Sequence, residues 1–167
     1  MISLAKHAID TAVVRGATYA DARAMRIRTQ TIVVKNGRVG SIAESESLGI
    51  GVRVIADGAW GFAATHDLSR QSVERVAAEA VAVGRASALV RAHEVRLAPV
   101  AAARTEWRTD AKIDPFAVSL AEKIDLLMRA DGAMRRAAGV TVAEAQMQFV
   151  EEDQWYLSTE EIGRAHV

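Results

Sequence analysis

Hydrophobic and polar positions follow two rhythms along this chain. Leu4, Ala5, Ala8, Ile9, Ala12 and Val13 recur at helical spacing, which predicts a first helix stopping near Gly16. From Tyr19 the period falls to two. Tyr19–Gln30, Thr31–Lys35 and Arg38–Ser47 read as strands, and Asn36-Gly37 is a two-residue turn signal that sets Val34 opposite Val39. Leu48–Leu68, LGIGVRVIADGAWGFAATHDL, holds two alternating runs joined by Asp57-Gly58 and specifies a tight hairpin. Asp67 or Ser69 can then cap a helix with Val73, Val76, Ala77, Ala80, Val81 and Ala88 in one stripe, while Glu74, Arg75, Glu79 and Arg85 fall on a solvated face. One amphipathic helix at each end of a four- or five-strand antiparallel meander predicts a two-layer α+β domain, because each stripe needs the sheet to cover it.

Periodicity fades between Arg91 and Asp110, around Pro99, and reads as a connector. A second segment of helix and strands starts at Asp114-Pro115-Phe116. Ser119-Leu120-Ala121-Glu122 has the form of a capping box, followed by a stripe of Leu120, Ile124, Leu127, Met128 and Met134 that should end near Gly139. Val140–Val150 and Gln154–Ser158 read as two more strands around an acidic turn, Glu151-Glu152-Asp153. The expected division is therefore 1–90 as the α+β domain, 91–113 as connector and 114–161 as the start of a second segment.

The Asp57-Gly58 loop fixes which hairpin residues oppose one another. Ile55 faces Trp60, Val54 faces Gly61 and Arg53 faces Phe62, so Ile50, Val52, Val54, Ala56, Gly61 and Ala63 share the side that should take a helix. Arg53, Ile55, Trp60 and Phe62 share the other. There a guanidinium can lie against an aromatic ring, either shielding it with its charge in solvent or forming a contact face for another domain or a peptide. Arg53, Trp60 and Phe62 are the candidate contact residues.

Twenty-one basic residues balance 21 acidic ones, so no global field draws the chain to nucleic acid or an anionic membrane. The absence of cysteine excludes disulfides and thiolate metal sites, and no run approaches the about 20 apolar residues of a membrane span. Both point to the cytoplasm. Chemistry is sparse. His7, His66, His93 and His166 are scattered, and His93-Glu94 lacks the histidine that HExxH needs at Leu97 or HExxxH at Ala98. Gly49-Ile50-Gly51 fails as a dinucleotide loop because Val54 takes the third glycine position and a strand follows. No catalytic and no metal-ligating residue is assigned.

YADAR (Tyr19–Arg23), VKNGRV (Val34–Val39), GIGVRVIADGAWGFAATHDLS (Gly49–Ser69), DPFAVSLAEKIDLL (Asp114–Leu127) and YLSTE (Tyr156–Glu160) occur in the order that resembles the N-terminal part of the TldD/PmbA family. That family is also called modulator of DNA gyrase, and its catalytic members are zinc metallopeptidases. The resemblance implies a parent protein that cleaves peptides or unfolded polypeptides. Its zinc would sit on an HExxxH helix and a further cysteine in the C-terminal half, none of which maps onto this chain. It also implies a PmbA-type partner subunit or a homodimer. Two readings stay open: the scaffold and cleft part of a TldD-like peptidase, which the WGFAATHDLS word favours, or the same part of a non-catalytic PmbA-like subunit. Ile162–Val167, IGRAHV, is what ATCGGAAGAGCACACGTC encodes, the start of a sequencing-library adapter. An adapter-derived tail is the expectation for those six residues.

Overall fold

The computed structural model describes residues 1–99, 101, 104–160 and 162–166, the last group as backbone only. The chain runs α1 (Ile2–Val14), β1 (Tyr19–Lys35), β2 (Arg38–Ala56), β3 (Ala59–Thr65), α2 (Arg70–Ala88), β4 (Arg104–Arg108), α3 (Leu120–Arg135), β5 (Glu144–Ser158) and β6 (Ile162–His166). The strand order is β3-β2-β1-β5-β6-β4. The fold is α+β, with β3, β2, β1 and β5 antiparallel and helices flanking them. The segments expected as separate strands fuse, so the first block contributes three long strands and β5 the fourth.

The chain forms two compact units that interleave in sequence. Unit 1 comprises Met1–Arg26, Ser47–Arg108 and Glu152–Val167; unit 2 comprises Ile27–Glu46 and Thr109–Glu151. In unit 1, Ala5, Ala8, Ile9 and Ala12 of α1 and Val73, Val76, Ala77, Ala80 and Val81 of α2 bury against Ala20, Ala22, Ala24, Ile50, Val52 and Val54. Ser69 caps α2 by accepting from Ser72 N at 3.3 Å, and Asp67 supports it through Ser69 N and Ser72 Oγ. In unit 2, Ile32, Val34 and Leu127 form the core, with Ile124, Met128, Ala145 and Met147 packed on it.

Both hairpins turn as their dipeptides require: Asn36 and Asp57 have φ of 49°, and Gly37 and Gly58 have φ of 74°. These are the left-handed pairs of type I′ turns. The β2–β3 register is as expected, from Ala56 opposite Ala59 to Ile50 opposite Thr65. The β1–β2 register changes along its length. Gly40 lies beside Val33, where a Cβ would stand 3.8 Å from Val33 Cγ1, in keeping with the turn. Farther out, Thr29 Oγ1 meets Ser45 Oγ at 2.7 Å and Gln30 donates to Glu44, pairs that are one residue further on. Touching side chains share a face, so β2 carries one extra residue, a bulge, between Gly40 and Glu44. That bulge turns Ile50, Val52 and Val54 toward the helices along with Ala20, Ala22 and Ala24.

Four expectations need correction. Glu151-Glu152-Asp153 is no turn: it lies inside β5, where buried Asp153 accepts from Arg26 Nε at 2.8 Å. Arg104–Arg108, read as connector, is a strand paired in parallel with β6, held by backbone bonds while all five side chains are exposed. α3 ends at Arg135, four residues before Gly139, although Ser119 and Glu122 do make the capping box. Its buried stripe is Lys123, Leu127 and Asp131, with Leu120 and Met134 exposed. The tail residues Ile162–His166 pair as β6, and Val167 lies outside the described residues.

Candidate contact face

Alternation along β1 places Ala20, Ala22 and Ala24 under the helices, and so turns Tyr19, Asp21 and Arg23 to the opposite face of unit 1. Arg53, Trp60 and Phe62 share that face. Arg53 Nε donates to Asp21 Oδ2 at 2.8 Å and its terminal nitrogen lies 2.7 Å from the same oxygen. The guanidinium carbon stands 4.8 Å from the centre of the Trp60 ring. Tyr19 meets Trp60 edge-on at 5.9 Å and its hydroxyl lies 3.2 Å from that of Tyr156, over which Arg23 rests at 5.6 Å. Burial, and then the Tyr156 hydroxyl and Asp21, push the Tyr19 phenol well above its ordinary range.

Phe62 is the exposed member, at 59% of its surface, and its ring lies across Gly51. A Cβ on residue 51 would stand 3.0 Å from Phe62 Cε2, so the glycine leaves room for the ring. The three predicted residues therefore come together. Arg53, however, does not send its charge freely to solvent, because buried Asp21 neutralises it. Asp21, Tyr19 and Tyr156 were missed. The word Tyr-Ala-Asp-Ala-Arg-Ala carried the signal for two of them, since strict alternation with alanine assigns Tyr19 and Asp21 to one face.

A second constellation in unit 2 also escaped the sequence. Lys123, only 4% exposed, donates from Nζ to Gln30 Oε1 at 2.6 Å and lies 4.8 Å from the Phe149 ring centre and 5.9 Å from that of Phe116. Asp131, fully buried, accepts from Gly37 N at 2.8 Å and from Arg135 Nε at 2.7 Å, tying α3 to the β1–β2 turn. These contacts are structural. Among the described residues no three His, Asp or Glu side chains converge, so these residues do not make a zinc-ligand set and no catalytic step is derived through one. His93 is exposed, and Glu94 pairs with Arg91 at 3.3 Å.

Comparison with known proteins adds to this geometry. Residues 20–84 match the family model described as PmbA/TldA metallopeptidase domain 1. A metalloprotease of Methanocaldococcus jannaschii is 26% identical over 110 residues, 66% of this chain and 24% of that protein. A metalloprotease of Methanothermobacter thermautotrophicus is 40% identical over 52 residues, 31% of this chain and 12% of that protein. The crystal structure of TldE from Thermococcus kodakarensis shares the fold, with a TM-score of 0.72 at 12% identity over 94% of this chain and 35% of that one. The matched part is thus about a quarter or less of the length of these curated relatives. Sequence over residues 20–84 resembles a metallopeptidase-family first domain. Over residues 20–84 the chain is similar to the first domain of the PmbA/TldD family.

Proposed function

We propose that this chain is the N-terminal scaffold and substrate-cleft part of a TldD-like zinc metallopeptidase that acts in the cytoplasm on peptides or unfolded proteins. In this reading it assembles with a PmbA-type partner subunit or a second copy, and the zinc ligands and general base come from other sequence. The observation that carries the reading is the contact face. Asp21 neutralises Arg53, Arg53 and Tyr19 hold Trp60, and Phe62 stands exposed beside them. Where Asp21 cancels Arg53, around Trp60 and Phe62, the preorganised aromatic surface costs little desolvation to cover and loses little side-chain freedom when covered. That suits a wall against which a chain or subunit docks.

The test is hydrolysis by the full 167-residue chain of a labelled unfolded protein with added zinc. No cleavage above the buffer rate is expected. Cleavage that a chelator abolishes would overturn the assignment of the chemistry to other sequence.

A further inference from the structure

Lys123 of α3 carries a charge into unit 2 that no carboxylate meets there. It is 4% exposed, and of its three N–H donors one reaches an acceptor, Gln30 Oε1 at 2.6 Å, while the ammonium otherwise faces the Phe149 ring at 4.8 Å and the Phe116 ring at 5.9 Å. Among the described residues no Asp or Glu forms an ion pair with it. The rings return only part of what an ammonium loses on leaving water.

Gln30 is enclosed as well, at 5% exposed, and is held from both ends. Lysine only donates and an ionised carboxylate only accepts, so the amide can take one orientation, with Oε1 toward Lys123 and Nε2 donating to Glu44. Its carbonyl is thereby polarised by a cation, and its amino group lies against an anion. Glu44 itself is exposed, which leaves a route to water on the Nε2 side. Burial of the other two partners keeps bulk water from competing for the carbonyl carbon.

We propose that Lys123 and Gln30 form a self-modifying pair that closes into an isopeptide bond between Nζ and Cδ, stapling α3 to β1. Nζ passes the proton it shares to Oε1 and attacks Cδ with the freed lone pair. A second proton moves from Nζ to Nε2 in the tetrahedral adduct, the Cδ–Nε2 bond breaks, and Oε1 gives its proton to the departing ammonia. An ammonium and an amide go in, and an amide and an ammonium come out, so atoms and charge balance with no oxidant, cofactor or co-reactant. Glu44 stabilises the positive charge as it moves onto Nε2 and out to solvent. The driving force is removal of a buried charge, because a neutral amide replaces it. Folding brings together residues 93 positions apart, and held contact substitutes for the high amine concentration that aminolysis otherwise needs. Attack on an unstrained amide is slow, so newly made protein is the open form and the bond accumulates with time. Nothing in this step draws on the peptidase reading.

The test is intact mass spectrometry of the full chain, fresh and after prolonged warm incubation at mildly alkaline pH, followed by tryptic peptide mapping. A growing species lighter by one ammonia, about 17 Da, is expected, with a branched peptide that joins the segments holding Gln30 and Lys123 and no cleavage after Lys123. The same incubation in urea should give none, because unfolding separates the pair. Lys123→Arg, which keeps the cation and removes the nucleophile, should abolish the species, and Glu44→Gln, at an exposed position, should slow it about tenfold or more. If Lys123→Arg fails to fold by circular dichroism, the branched peptide of the parent decides alone. Unchanged mass in the folded parent overturns the proposal. Ring closure at Asn36-Gly37 also loses one ammonia, but it yields no branched peptide and persists in Lys123→Arg; finding that product alone overturns the proposal too.

Discussion

Gly61→Ala should be among the most damaging single-methyl changes in this chain. A Cβ at residue 61 would stand 2.0 Å from the Ala80 carbonyl oxygen, 2.4 Å from Gly84 N and 2.9 Å from Gly84 Cα. All three are backbone atoms, so no rotamer change relieves the clash. Ordinary contact starts at 3.4 Å, so α2 must lift from β3 by more than about 1 Å. A radial gap of that size forfeits about a quarter to a half of the contact energy beneath the helix. Val73, Val76 and Val81 are each buried there and each worth about 2 kcal/mol, so about 1.5–3 kcal/mol is lost. Residual overpacking adds about 1–3 kcal/mol, giving about 2.5–6 kcal/mol against the about 5–15 kcal/mol that holds a typical domain together. Urea unfolding followed by far-ultraviolet circular dichroism measures the total, and amide exchange across Arg70–Ala88 locates it. Gly132→Ala is the control: nothing lies within 4 Å of its added Cβ inside α3, and a gain of about 0.5–1 kcal/mol is expected. A Gly61→Ala protein within about 0.5 kcal/mol of the parent, at unchanged slope, would refute the close packing of α2 on β3.

Two other predictions concern charge. The Ser72 hydroxyl and the Ser69 backbone hold the exposed Asp67 carboxyl below the usual carboxylate range. A depressed folded value means the contribution is fully present above the ordinary carboxylate range and is lost as pH falls through the folded value. Asp67→Asn should therefore flatten the acid limb of the stability curve, and an acid limb identical to the parent's would refute the capping role. Lys123→Met keeps length and apolar stem while removing a buried charge, so it should leave stability within about 1.5 kcal/mol or raise it. Lys123→Ala, which leaves a cavity between Phe116 and Phe149, should cost about 2–4 kcal/mol in the same urea assay.

Local rules carried far into this fold and then stopped at identifiable places. Asn36-Gly37 and Asp57-Gly58 turn as their φ values demand, and Ser69 and Ser119 cap the helices they precede, because each depends on a few adjacent residues. The β2 bulge depends on none of them. Its cause is parity: the turn aligns β2 one way, while Ala20, Ala22 and Ala24 can meet Ile50, Val52 and Val54 only if one residue is passed over. Neither strand shows this alone. Long-range pairing was hidden in the same way. Asp153 falls in the expected acidic turn, yet its partner is Arg26, over a hundred positions earlier, and Lys123, absent from the expected stripe of α3, is enclosed by Gln30 and two phenylalanines.

The contact face was half legible for a related reason. The hairpin that presents Arg53, Trp60 and Phe62 is local, with its register set by one dipeptide, whereas Asp21, which cancels the Arg53 charge, arrives on β1. That cancellation alters the chemistry expected of the face: a free guanidinium beside two aromatic rings would favour acidic ligands, and a neutralised one favours apolar or aromatic surface. The same bulge makes it possible. Without the extra residue in β2, Arg53 would point toward the helices and Val54 toward Asp21, burying a charge under α2 and leaving Asp21 without its cation.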